Sequence, residues 1–146
     1  MTDLQALHDA SHTMVMGVLN ITEDSFSDGG LWLDPAKAAQ HGRDMMAAGA
    51  DIIDIGAEST RPGAKRVSEE DELARITGAV NALIPAGAVL SIDTTRASVA
   101  AAALDGGAQI INDVSGGTLD ANLPHVVADH DCLYICLLYT SDAADD

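Results

Sequence analysis

The sequence predicts an α/β fold built on a parallel sheet, and three observations carry that reading. Short β-branched apolar runs recur at residues 14–19, 52–55, 89–92 and 109–111. Each is followed by a polar turn and then by an Ala-rich stretch of helical character, the alternation of strand, turn and crossover helix. The runs also read as too uniformly apolar to keep one face in water, as expected of parallel strands covered on both sides. With 146 residues, 47% of them hydrophobic and 21% charged, the chain has the length of one domain and too much apolar content for disorder.

The elements follow in order. Asp34 is placed to cap a first helix, Pro35 suits its first position, and Gly49 falls where a left-handed C-cap ends it, so that it spans about 35–48. Ser68-Glu69-Glu70-Asp71 imitates a capping box and sets acids in the positive first turn of a second helix. Leu73, Ile76, Val80 and Leu83 form its expected buried stripe, and Pro85 and Gly87 stop it. A third helix, about 96–104, is nearly all Ala and ends at Gly106-Gly107; its small side chains let it lie close to a sheet. A weaker fourth covers about 120–129 with Pro124 in its first turn, and a fifth strand is expected to start within 132–138.

Seven Lys and Arg against 23 Asp and Glu give a formal net charge of −16, which excludes a sequence-independent electrostatic grip on nucleic acid. Residues 1–10 carry two Asp and no Lys or Arg, unlike a secretory leader, and a cytoplasmic location is expected. The longest wholly apolar run, 132–139, is far short of the roughly 20 residues that span a bilayer. Cys132 and Cys136 both lie in that run and support neither a disulfide framework nor a four-ligand zinc site; buried thiols are expected.

Strands and crossovers alone fit either half of a doubly wound sheet or half of a (β/α)8 barrel. The polar residues separate the two. Strand one ends in Asn20, strand two leads into Glu58-Ser59-Thr60-Arg61, strand three into Asp93-Thr94 and strand four into Asn112-Asp113. A barrel gathers four such ends around one mouth, whereas a doubly wound sheet concentrates its ligand chemistry at one switch point, usually behind a Gly-rich turn. Gly17-Val18-Leu19-Asn20 is no such turn, and a partial barrel of four to five βα units is the expected architecture.

Each strand end admits a functional and a structural reading. The Asn20 amide oxygen suits a hard cation such as Mg2+, or forms a turn through its own side chain. Phe26 stands alone among hydrophilic residues in the stretch 22–30, where it covers an aromatic substrate or packs on the barrel rim. Arg61 offers a planar fork for a carboxylate or phosphate, or pairs locally with Glu58. Asp93 and Asn112 suit the ring nitrogens and amino group of a heterocycle; the alternative for Asp93 is to cap the following helix.

Taken together, Met16-Gly17-Val18-Leu19-Asn20-Ile21-Thr22-Glu23-Asp24-Ser25-Phe26-Ser27-Asp28-Gly29-Gly30 resembles the first signature of the dihydropteroate synthase family. Asp54-Ile55-Gly56-Ala57-Glu58-Ser59-Thr60-Arg61-Pro62-Gly63-Ala64 resembles the second, and Ser91-Ile92-Asp93-Thr94 and Ile110-Ile111-Asn112-Asp113 resemble the third and fourth strand ends, in order. Glu23 departs from the pattern, which usually has Pro there. The resemblance implies a transferase of folate biosynthesis that joins p-aminobenzoate to 6-hydroxymethyl-7,8-dihydropterin diphosphate and releases pyrophosphate. It implies Mg2+ bound at Asn20, pterin diphosphate contacted by Thr60, Asp93 and Asn112, and two mobile loops carrying Phe26, Arg61 and Pro62 that close over p-aminobenzoate. It also implies a homodimer for the complete enzyme.

On this reading residues 1–13 are an N-terminal extension, 14–136 the partial pterin-binding barrel, and 137–146 a tail unlike the family. A barrel of this kind takes typically about 250 residues, and the family's later signatures have no counterpart here. The chain by itself is therefore expected to be an inactive fragment. Two other classes fit the same motifs less well: the pterin-binding domain of a methyltetrahydrofolate methyltransferase, and a non-catalytic, synthase-like partner subunit.

Overall fold

The computed structural model describes residues 4–23, 34–59 and 62–137. A short helix α1 (Leu4–His8) precedes β1 (Met16–Asn20), α2 (Pro35–Ala47), β2 (Ile52–Gly56), α3 (Glu69–Leu83), β3 (Leu90–Asp93), α4 (Ala97–Asp105), β4 (Ile110–Asp113), α5 (Leu123–Asp129) and β5 (Leu133–Cys136). A single 3-10 turn, Ile84–Ala86, extends α3. The five strands are all parallel and lie in strict sequence order, β1-β2-β3-β4-β5. Crossovers of one hand between sequential neighbours put α2 to α5 on the same face of the sheet. The packing agrees, since α2 touches α3, α3 touches α4 and α4 touches α5. This is a segment of barrel wall; a doubly wound sheet would reverse direction and carry helices on both faces.

The caps form where the local chemistry places them. Asp34 Oδ1 accepts from the Ala36 amide, Ser68 Oγ accepts from the Asp71 amide, and Gly49, Gly87 and Gly107 take the positive φ that ends α2, the 3-10 turn and α4. Strand β1 starts at Met16, two residues later than the apolar run, and α5 starts at Leu123 because the residues before it form a turn held by Asp120. On α3 the fully buried positions are Glu72, Ile76, Ala79, Val80 and Leu83; Leu73 is only half-buried.

Successive strand residues alternate between the two faces. Register aligns Leu19, Ile55, Ile92 and Ile111 on the helix-facing side, and all four are fully buried, with Ile53 and Leu90 in the adjacent row. The other face is covered unevenly. Val18 on β1 is 55% exposed, and Leu133 and Ile135 on β5 are each 40% exposed. The sequence expectation that every strand is covered on both faces fails at these two outer strands, because each has a strand neighbour on one side only. For the same reason the buried-thiol expectation holds poorly: Cys132 is half-buried, with its Sγ 3.7 Å from the Val127 carbonyl, and Cys136 on β5 is exposed.

The two faces should differ in urea unfolding of the chain. Ile92→Ala removes a fully buried side chain and should cost about 2–5 kcal/mol, whereas Val18→Ala should stay within roughly 0.5 kcal/mol. Equal losses would contradict the assignment of the helix-facing side as the core.

Candidate active site

Parallel register decides which side chains meet at the carboxyl ends of the strands. Asn20 pairs with Gly56, Gly56 with Asp93, and Asp93 with Asn112, so the four lie side by side in one layer on the face away from the helices. Gly56 is the gap in that layer. A Cβ placed there would lie 3.3 Å from Asp93 Oδ2 and 3.4 Å from Asn20 Oδ1, so those side chains converge over bare backbone. One step down, Asp54 is 6% exposed and accepts from Ser91 Oγ at 2.6 Å and from Asn112 Nδ2 at 3.3 Å. Asn112 thus spends its amide donors on Asp54, which leaves its carbonyl oxygen to accept from elsewhere.

Among the described residues the layer is acidic without a counter-cation. Burial pushes the Asp93 carboxyl up to about 7, reinforced by the negative charges of Asp54, Glu72, Glu58 and Asp113. Burial also raises Asp54, with the bonds from Ser91 and Asn112 opposing it. Among the described residues no Lys, Arg or His pairs with either carboxylate. Asp93 likewise makes no side-chain hydrogen bond there, and a half-buried carboxylate without donors favours a ligand that supplies them.

Behind the layer, charges do meet. Glu72, 1% exposed, accepts from Thr94 Oγ1 at 2.9 Å and lies 3.3 Å from Arg96 Nη1, which also reaches Glu58 Oε1 at 3.0 Å. Burial nevertheless raises the Glu72 carboxyl, the Thr94 bond and the Arg96 charge only partly opposing it. Arg66 Nε joins Glu58 at 3.5 Å. At the end of β4, Asp113 is fully buried and accepts from Ser115 N, Ser115 Oγ, Gly117 N and Tyr134 Oη at 2.7–2.9 Å. Gly116 and Gly117 take positive φ to turn those donors inward.

Three of the residues singled out from sequence, Asn20, Asp93 and Asn112, come together. Pro62 stands apart in an exposed turn, and Phe26, Thr60 and Arg61 lie outside the described residues. The helix-capping alternative for Asp93 is not realised: the α4 amides are met by Asp120 Oδ2, 2.8 Å from Ala97 N, and by Thr94 Oγ1, 3.2 Å from Arg96 N. Nor does Asn20 make a turn through its side chain among the described residues. Glu58, the local partner considered for Arg61, is engaged by Arg96 and Arg66. Sequence reasoning gave no role to Asp54, Ser91, Glu72 or Arg96. An acid inside an apolar strand run was the available signal for Asp54.

No cluster of three or more His, Cys, Asp or Glu among the described residues can hold a metal. A cation at Asn20 would take one neutral protein oxygen and complete its shell with water and phosphate, a donor set that fits Mg2+. A cavity of about 440 Å3 opens between the segments that leave β1 and β2, with Thr22, Glu23, Ser59, Lys65, Arg66 and Arg75 in its lining. No helix among the described residues is long and apolar enough to cross a membrane.

Comparison with known proteins agrees with this geometry. The chain is 56% identical over 115 residues to the dihydropteroate synthase of Mycobacterium leprae, a match covering 79% of this chain and 40% of that protein. A dihydropteroate synthase of Xanthomonas albilineans, solved with 4-aminobenzoic acid, superposes with a TM-score of 0.81 at 39% identity over 91% of this chain and 49% of its own. That of Anaplasma phagocytophilum, solved with bound 6-hydroxymethylpterin-monophosphate, gives 0.73 at 33% identity over 85% of this chain and 46% of its own. The chain therefore spans less than half the length of each of these relatives. The family model described as pterin binding enzyme matches residues 16–145, and with the ordered strand-end layer in place, the chain belongs to the pterin-binding enzyme family.

Proposed function

We propose that this chain supplies the pterin-binding part of a dihydropteroate synthase, a cytoplasmic and dimeric transferase when the barrel is whole. The observation that carries the reading is the layer Asn20, Gly56, Asp93, Asn112, in which a carboxylate without donors among the described residues and an amide carbonyl lie side by side. A pterin ring presents neighbouring N–H donors along one edge, and an ionised Asp93 beside the Asn112 carbonyl offers the matching acceptors. Gly56 leaves room for a flat ring to approach the backbone.

In the reaction, the amine of p-aminobenzoate forms a bond to the pterin methylene carbon. The C–O bond to the diphosphate breaks, pyrophosphate departs with the electron pair, and the amine loses a proton. If the leaving group departs first, the positive charge left on the pterin methylene is held beside Asp93 and Asp54, acids already fixed in place with little solvent to reorganise. Mg2+ bound through Asn20 would neutralise charge on the departing diphosphate. The resemblance assigns Thr60 a contact to the pterin diphosphate, and Phe26, Arg61 and Pro62 to the two loops that close over p-aminobenzoate. In a chain spanning the whole barrel, pyrophosphate release on mixing the two substrates tests the reaction. Binding of methyltetrahydrofolate without binding of pterin diphosphate would assign the fold to methyl transfer instead.

Two binding measurements on this chain test the assignments. Because Asp93 is raised to about 7, it is protonated below that pH and loses its acceptor character; affinity for 6-hydroxymethylpterin should fall as pH drops from 7.5 to 5.5, by at most about tenfold per unit for one proton. Asp93→Asn should lower affinity at pH 7.5 by about tenfold to more than a hundredfold, from roughly 1.5–3 kcal/mol for a charge-assisted bond, and should flatten the profile. Unchanged affinity would remove Asp93 from the site. Asn20→Ala should weaken Mg2+-dependent binding of the pterin diphosphate more than binding of the pterin alcohol, and equal losses would refute the metal role.

A further inference from the structure

Where the β1–β2 ladder ends, at Asn20 and Gly56, the next residues on both strands carry buried carbonyls that need donors. Ile21 is 3% exposed and Ala57 fully buried. One guanidinium serves both. Arg75, two turns into α3 and with a side chain only 18% exposed, places Nη1 3.2 Å from the Ile21 carbonyl and 3.3 Å from the Ala57 carbonyl. Its Nη2 lies 3.5 Å from Glu23 Oε1. The two strand exits are also joined directly, by the Ile21 amide donating to the Gly56 carbonyl at 2.7 Å.

The far end of the β2–α3 segment has its own anchor. Arg96 Nη2 donates to the Val67 carbonyl at 2.7 Å while its Nη1 holds Glu58, and Arg66 Nη2 donates to Thr95 Oγ1 at 3.0 Å. The segment from Ala57 to Val67 is thus fastened at both ends, with Pro62 and Gly63 exposed between. Among the described residues Arg75 bonds none of Asn20, Asp93 and Asn112; its partners are the Ile21 and Ala57 carbonyls and the Glu23 carboxylate.

We propose that Arg75 is a positioning residue that sets the spacing of the segments leaving β1 and β2, and through them the p-aminobenzoate side of the site, without touching the pterin. This rests on the function proposed above. Nη1 meets the two carbonyls and Nη2 the carboxylate, two nitrogens of one rigid fork, whereas a Lys ammonium has a single nitrogen for all three. Arg75→Lys should therefore rescue only part of what Arg75→Met loses.

The test uses the chain with Arg75→Met, Arg75→Lys and the wild type. Amide exchange at residues 21–23, 57–59 and 63–67 should accelerate by about tenfold or more in Arg75→Met, less in Arg75→Lys, with Ile92 and Ile111 within about twofold of wild type. Affinity for 6-hydroxymethylpterin should stay within about twofold, while affinity for p-aminobenzoate, measured with that pterin saturating, should fall about tenfold. Unchanged exchange, or equal losses for the two ligands, would overturn the proposal. The wild type gives an independent arm should Arg75→Met not fold: the Arg75 Nη protons should exchange slowly and resolve as separate resonances, and averaged, rapidly exchanging signals would also overturn it. A wild type that binds neither ligand but keeps the slow Nη protons would fail the proposed function and leave the clamp standing.

Discussion

Asp54 and Asp93 lie two residues apart in register on adjacent parallel strands, with no cation between them among the described residues, and the mouth of the sheet is arranged around that unmet charge. An acid whose native pKa exceeds its unfolded value binds more protons in the folded chain over the interval between them, so it opposes folding increasingly as pH rises through that interval. Asp93, raised to about 7, therefore destabilises the free chain at neutral pH. The helix-facing rows of Leu19, Ile53, Ile55, Leu90, Ile92 and Ile111, all fully buried, offset that cost. A ligand that donates to Asp93 relieves the same cost, which links the destabilisation by Asp93 to the affinity for that ligand.

The other buried acids are handled differently. Glu72 and Asp113 are more buried than Asp93, yet each is enclosed by donors: Thr94 and Arg96 for Glu72, and Ser115, Gly117 and Tyr134 for Asp113. Removing one partner of such a buried group leaves a charge stranded, so these clusters fix geometry more than they add stability. Glu72 and Arg96 hold the β2–α3 segment against α4, and Asp113 shapes the turn that follows Asn112. The layer with open acceptors is framed by side chains whose acceptors are used.

The sheet was legible because parallel strands buried on the helix side read as apolar runs, and because Asp34, Ser68, Gly49 and Gly87 write helix ends in short-range chemistry. Asn20, Asp93 and Asn112 were legible as strand-end polar residues. Their common layer was not, since it depends on register, and a slip of one residue would turn each to the opposite face. Asp54 escaped notice because it sits inside a run that looks uniformly apolar, and its partner Ser91 is small. Arg75 and Arg96 escaped because a helix arginine looks solvent-facing in sequence; their roles arise from backbone carbonyls that local sequence does not mark. The exposure of Val18, Leu133 and Ile135 follows from position at the two outer strands, which the local pattern does not encode.

The central claim is that Asp93 is an acceptor held ready without a donor among the described residues. Its carboxyl carbon can be followed by 13C NMR across pH in the free chain and with saturating 6-hydroxymethylpterin. The account expects a midpoint of about 7 in the free chain, moving down by roughly a unit or more once ring N–H groups bond the carboxylate. A midpoint in the ordinary carboxylate range in the free chain, or one that the pterin does not move, would contradict it.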